Sequence, residues 1–375
     1  MPFSSRGGPD NPPMHWDVFC HVIDNYGDIG VCWRLCCALA ERDQTVRLWV
    51  DDASALDWMA PAAQAPVEVH AWSSAEHADV APGDVVIEAF GCDPPAGFVA
   101  RMAARSPAPV WINLEYLSAE DYVERSHGLA SPQGCGPGQG LTKWFYYPGY
   151  TAATGGLLRG SAPREAPPAW LAAHGWAPRR GERTVLVFCY PGAPLEPLVT
   201  ALGPTPTQLL CAPGAAAGLI ERVKACPHLR ARCLPHLPQV TFDELLHCTD
   251  LNFIRGEDSF VQAQWAAVPF IWQPYVQQDG VHLAKLDAFL DRFGAANGLA
   301  ASHAGALRQL WHAWNGAGPW PNPWPDDGAW RSACLRWRAG LLAQADLAGQ
   351  LIHFAHEKAR ILGFASTGTE GTKRD

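Results

Sequence analysis

Short apolar runs alternate with amphipathic stretches along most of this chain. Residues 15–22 are apolar and β-prone; after a polar loop bearing glycines, residues 29–41 place Val31, Leu35, Ala38 and Leu39 at helical spacing. That order predicts a strand, a loop and a helix. Further short strands are predicted at 46–50, 67–70, 84–89 and 110–114, separated by helical or Pro/Gly-rich stretches such as 94–105. The second half repeats the alternation, with strands at 184–190, 208–212, 230–234, 250–254 and 270–272, and helical patterns at 218–225, 242–248 and 259–267. Strands alternating with helices imply parallel sheets, so the pattern predicts an α/β protein of two facing, doubly wound, Rossmann-like domains.

Punctuation along the chain suggests where those domains end. Residues 131–160 are rich in glycine, proline and aromatics without a clear period, and with the run from Trp144 to Tyr150 inside them they read as a long functional loop or an interface. Residues 162–181 carry turn residues and charge and read as a connection between domains. The expected organisation is a disordered leader at 1–13, an N-terminal Rossmann-like domain at 14–165 and a C-terminal Rossmann-like domain at 182–343. A helix at 344–362 and a frayed tail at 363–375 follow. Trp311, Trp314, Trp320, Trp324 and Trp330 stand among prolines and read as packing loops.

Composition narrows the class. The 375 residues are 48% apolar and 17% charged, enough for two domains with a core each. No apolar stretch is long enough to span a bilayer, and the first 13 residues lack the apolar segment of a signal peptide. The 12 cysteines show no CxxC pair, Cys36, Cys37, Cys189 and Cys248 read as buried thiols, and no zinc site is expected. A reducing cytoplasm follows. A net charge of -9 disfavours nucleic acid as a partner and suits a basic protein surface.

Two polar stretches carry the candidate chemistry. Asp24-Asn25-Tyr26-Gly27-Asp28-Ile29-Gly30 joins the first strand to its helix and lacks the full G-x-G-x-x-G of dinucleotide enzymes. A carboxylate there repels a pyrophosphate, so Asp28 fits a base or the partner of a cation, with Asp24 beside it; on pattern alone both also fit as helix caps. Arg255-Gly256-Glu257-Asp258-Ser259 joins a strand to a helix whose cap is Asp258 or Ser259. Free N–H groups and a guanidinium at such a turn suit a phosphate, and an internal pair of Arg255 with Glu257 or Asp258 suits the pattern equally. Phe188 and Tyr190, at a strand end, fit either packing or a nucleobase. Gln239, in the loop after the 230–234 strand, has the groups to bond a base edge.

These residues resemble a known family. Segments 18–35, 112–118 and 250–260, together with Gly140 to Phe145 and Pro148-Gly149, are similar to EarP, the bacterial protein-arginine rhamnosyltransferases of elongation factor P. The resemblance covers about 15–362 and implies a GT-B glycosyltransferase with its two domains about a cleft. The implied donor is dTDP-β-L-rhamnose, with no cofactor and no metal. The implied product is an α-rhamnosyl-arginine on elongation factor P, which relieves stalling at polyproline. Asp28 then looks like the general base, Asp24 its partner and Glu257 a third acidic site residue. Arg255, Asp258, Ser259, Gln239, Tyr190, Phe188, Gly27 and Asn25 look like donor-site residues. His236 stands where the family places an aromatic ring.

The chemistry supports that assignment independently. Arginine is protonated at neutral pH with delocalised lone pairs, so a nucleophilic guanidine needs a carboxylate to share its proton. Three alternatives stay open on sequence: a small-molecule or glycan acceptor, a nicotinamide-dependent oxidoreductase, and a non-catalytic binding protein.

Overall fold

The computed structural model describes residues 12–24, 26–61, 66–159, 169–203, 205–276 and 280–368. The chain divides into two compact units, one comprising Met1–Asp57, Ala62–Ser161 and Gln344–Asp375, the other Trp58–Pro61 and Ala162–Ala343. The last helix therefore belongs with the first unit.

In that unit seven strands form one sheet: β1 (His15–Cys20), β2 (Thr45–Val50), β3 (Val67–Ala71), β4 (Val85–Ala89), β5 (Val110–Leu114), β6 (Ala130–Pro132) and β7 (Thr142–Tyr146). Their order is β3-β2-β1-β4-β5-β7-β6, and every pairing is parallel except β6 with β7. Strands β4 and β5 are buried at every position, as expected of a sheet covered on both faces. One face packs Phe19 and Trp49 against Phe98 and Met102 of helix Ala96–Ala104, with the Phe19 and Phe98 rings 4.9 Å apart. Helix Gly27–Ala40 buries Ile29, Cys32, Leu35, Cys36 and Leu39, a stripe at the predicted spacing.

A buried ion pair locks the amino-terminal half of β1. Asp17 is fully buried and accepts from Arg47 Nε at 2.7 Å, Arg47 Nη2 at 2.9 Å, Trp49 Nε1 at 2.8 Å and the Gly83 amide at 2.6 Å. A Cβ on Gly83 would lie 2.5 Å from the His15 carbonyl, so only glycine lets that amide approach. Asp17→Ala leaves four donors without this acceptor and Arg47 without its counter-charge. We expect a loss of about 3 kcal/mol in urea unfolding, the lower end of the range for a broken buried pair because Arg47 keeps some access to water.

The second unit holds a five-stranded parallel sheet of β8 (Arg183–Val187), β9 (Thr207–Cys211), β10 (Leu229–Cys233), β11 (Leu251–Arg255) and β12 (Phe270–Gln273), in the order β10-β9-β8-β11-β12. Its core is aromatic. Phe260 stacks on Trp272 at 3.9 Å and meets Phe289 at 4.8 Å.

Several expectations change. The 131–160 stretch, without a readable period, contains the β6–β7 hairpin, because Thr142–Tyr146 adds to β5 as a sheet strand. Trp311 and Trp314 lie in helix Ala301–Trp314 and Trp330 in helix Asp327–Leu342; the prolines cluster at 319–325, between the two helices. The 218–225 helix is broken into 3-10 turns around Leu219–Arg222. The last helix runs Leu347–Gly368, starting where Asp346 Oδ1 accepts the Gly349 amide at 3.1 Å and continuing past 362 into residues expected to fray. All 12 cysteines are free; Cys36 and Cys189 are buried, whereas Cys37 and Cys248 are half-buried. Burial pushes the Cys189 thiol up to about 12, which makes it a poor nucleophile. Residues 1–11 of the expected leader lie outside the described residues, as do 162–168 of the connection.

Candidate active site

In the first sheet the strand order reverses between β1 and β4, where connections leave toward opposite faces and open a crevice at the carboxyl ends. The loop after β1 lies at this point. Asp51 anchors its start, with His21 Nδ1 at 3.0 Å from Oδ2 and the Val22 amide donating to Oδ1 at 3.0 Å. The loop closes as the Gly27 amide donates to the Asp24 carbonyl at 2.6 Å. A Cβ on Gly27 would lie 2.7 Å from Asp24 Oδ2, so the glycine makes room for that carboxylate.

Asp28 is 2% exposed. Its Oδ2 accepts from the amides of Ile23 at 2.9 Å and Asp24 at 2.8 Å, and its Oδ1 accepts from the Tyr116 hydroxyl at 3.1 Å. Asp28 does not cap the helix: Tyr26 holds the cap position without a side-chain cap bond, and the Asp28 carboxylate accepts amides of the preceding loop. Asp24 is half-buried beside it. Asn25 lies outside the described residues.

The second sheet reverses between β8 and β11. Arg255 ends β11, and its guanidinium carbon sits 4.5 Å from the centre of the Phe188 ring and 4.5 Å from that of Tyr190. Both rings follow β8, so neighbouring strand ends set the clamp. Gly256 turns the chain with φ of +67°, the left-handed conformation glycine takes without strain. Trp272 Nε1 donates to the Gly256 carbonyl at 2.8 Å, and the Gly256 amide donates to the Gln273 carbonyl at 3.2 Å. Gln273 Oε1 also accepts the Tyr190 amide at 2.8 Å.

Glu257, rather than Asp258 or Ser259, takes the cap position of helix Asp258–Ala266, without a side-chain cap bond. Asp258 Oδ2 accepts from Gln239 Nε2 at 3.2 Å. Gln239, expected in a loop, opens helix Gln239–Cys248 because Pro238 fixes the entry to its first turn. Ser259 is buried in that turn. His236 is exposed, its ring 4.7 Å from that of Trp58, which groups with this unit.

The run from Trp144 to Tyr150 packs. Tyr146 is 1% exposed and lies 5.2 Å from Phe354, and Lys358 Nζ stands 4.5 Å from the Trp144 ring centre. Glu115 Oε1 accepts from Asn113 Nδ2 at 2.9 Å. Trp272 and Gln273 are the site supports that sequence reasoning misses; their only sequence mark is a place at the end of an apolar strand.

Two Rossmann-like parallel-sheet units, each with polar chemistry at its reversal point, define a GT-B glycosyltransferase. Residues 16–356 match the family described as Elongation-Factor P (EF-P) rhamnosyltransferase EarP. The chain is 41% identical to the protein-arginine rhamnosyltransferase of Pseudomonas putida, over 90% of this chain and 98% of that one, and 41% identical to that of Pseudomonas aeruginosa, with the same coverage. A solved structure described as the "Structural basis for EarP-mediated arginine glycosylation of translation elongation factor EF-P" is 30% identical, with a TM-score of 0.58 over 92% of this chain and 99% of that one. Arabidopsis thaliana UGT89C1 complexed with UDP-L-rhamnose, 12% identical, shares the fold at a TM-score of 0.54 over 94% of this chain and 100% of that one.

The chain belongs to the EarP family. It is a protein-arginine rhamnosyltransferase that uses a nucleotide-sugar donor, and the oxidoreductase, glycan-acceptor and non-catalytic alternatives fall away.

Proposed function

We propose that this enzyme moves L-rhamnose from dTDP-β-L-rhamnose to an arginine of elongation factor P, with inversion to the α-linked product. The observation that carries this reading is the Asp28 carboxylate, whose Oδ2 is held by two amides while Oδ1, among the described residues, takes one phenol. Oδ1 keeps acceptor capacity, which suits a guanidinium N–H. The nature of the solved relative, which concerns glycosylation of EF-P, supports the acceptor.

In the proposed step one guanidinium nitrogen attacks the anomeric carbon. The new N–C bond forms as the bond from that carbon to the diphosphate oxygen breaks, dTDP departs with the bonding pair, and one proton passes from the guanidinium to Asp28. Asp24 shares the positive charge as the bond forms. Arg255 and the amides that open helix Asp258–Ala266 receive the charge growing on the diphosphate, with Ser259 in the same turn. Glu257 faces the sugar, and Phe188, Tyr190, Gln239 and Asp258 form the nucleotide side. Gly27 makes room for Asp24 in the loop. The cation and amides supply what a divalent ion would otherwise give, so no metal is required.

Among the described residues no helix is long and apolar enough to cross a membrane. We assign the enzyme to the cytoplasm, where twelve free thiols persist and elongation factor P is met. Transfer from dTDP-β-L-rhamnose should run at full rate in excess EDTA, and NMR of the product should show an α-linkage. An absolute need for a divalent ion, or a β-linked product, would overturn the proposed chemistry.

A further inference from the structure

The loop leaving β4 begins with Phe90, whose φ is +59°. A bulky side chain in that left-handed region costs about 1 kcal/mol or more, and glycine would hold the same turn without strain. Nor does burial explain the residue, for the ring is only half-buried. Its contact does. Phe90 lies flat on Tyr116, ring centres 4.1 Å apart and planes 7° from parallel, and Tyr116 is the residue whose hydroxyl donates to Asp28 Oδ1.

The sheet fixes where this ring stands. The Phe90 amide donates to the Leu114 carbonyl at 2.7 Å, one step beyond the pairing of Ala89 with Leu114. Behind it the Cys92 amide donates to the Ala89 carbonyl at 3.2 Å and Cys92 Sγ to the Phe19 carbonyl at 3.3 Å, while Lys143 Nζ reaches Asp93 Oδ1 at 3.3 Å. The strained residue is thus held from several sides, as strain at a working site must be.

We infer that Phe90 and Tyr116 are positioning residues for the transfer. Both backbone donors act on Oδ2, so among the described residues the phenol is the one bond that fixes Oδ1. The parallel stack holds the phenol there. This rests on the proposed role of Asp28 toward the acceptor guanidinium, and it predicts an effect on turnover without one on donor binding.

The full-length enzyme carrying Phe90→Gly, Tyr116→Phe or both tests this. Phe90→Gly should unfold at or above the wild-type temperature, because strain is relieved, yet lose roughly tenfold to a hundredfold in kcat with donor Kd unchanged by calorimetry. Phe90→Tyr should regain most of that rate. Tyr116→Phe should lower kcat similarly, and the double variant should be little worse than either single one, since both act through one hydroxyl. Wild-type kcat in Phe90→Gly, a rate loss matched by a fall in unfolding temperature, or additive losses would each overturn the inference. Wild-type enzyme that transfers no rhamnose to arginine removes the functional reading and this inference with it; wild-type transfer with unaffected variants removes the inference alone.

Discussion

Asp28→Asn should lower kcat for arginine rhamnosylation by about a hundredfold or more, with unfolding temperature and donor affinity near wild type. Asparagine has the same shape, and its carbonyl can still accept the Ile23 and Asp24 amides that hold Oδ2 in place. The group turned toward Tyr116 then becomes an NH2, which has no charge for a guanidinium and takes no proton. The chemistry therefore fails while the loop stays. Steady-state kinetics with calorimetry on the same preparation checks this, and unchanged kcat would remove Asp28 from the role of base.

Arg255→Ala should cost about a hundredfold in kcat as well, and it should also weaken donor binding, because the cation meets the diphosphate before and during its departure. Losing the guanidinium also leaves Phe188 and Tyr190 without the flat group between them. Arg255→Lys keeps the charge but lacks the planar face and the fork of N–H groups, so it should recover little of the loss. Product-inhibition constants for dTDP give the direct readout. An Arg255→Ala enzyme that binds dTDP normally would place the diphosphate elsewhere.

Both loops that carry this chemistry were legible in the chain because their signals are local. An apolar run, a glycine-bearing polar turn and a helical period follow one another within about twenty residues at Asp28 and again at Arg255, and each turn formed where that order put it. What supports them was not legible. Tyr116 reaches Asp28 across 88 positions of sequence, and no spacing rule links two residues brought together by a sheet. Gln273 holds the backbone of Tyr190 in the same long-range way. Phe90 was hidden for another reason, since a phenylalanine after an apolar strand looks like core and gives no sign of a left-handed backbone. The Thr142–Tyr146 strand escaped because its aromatics, set among glycines and prolines, have no alternation to read; its burial comes from β5 on one side and the last helix on the other.

We propose that this chain places rhamnose on an arginine of elongation factor P through Asp28. Fragmentation mass spectrometry of elongation factor P, after incubation with dTDP-β-L-rhamnose and either wild-type or Asp28→Asn enzyme, tests it most directly. One added deoxyhexose on an arginine is expected with the wild type and none in the same time with the variant. An unmodified factor alongside folded, donor-binding wild-type enzyme, or equal modification by both enzymes, would contradict it.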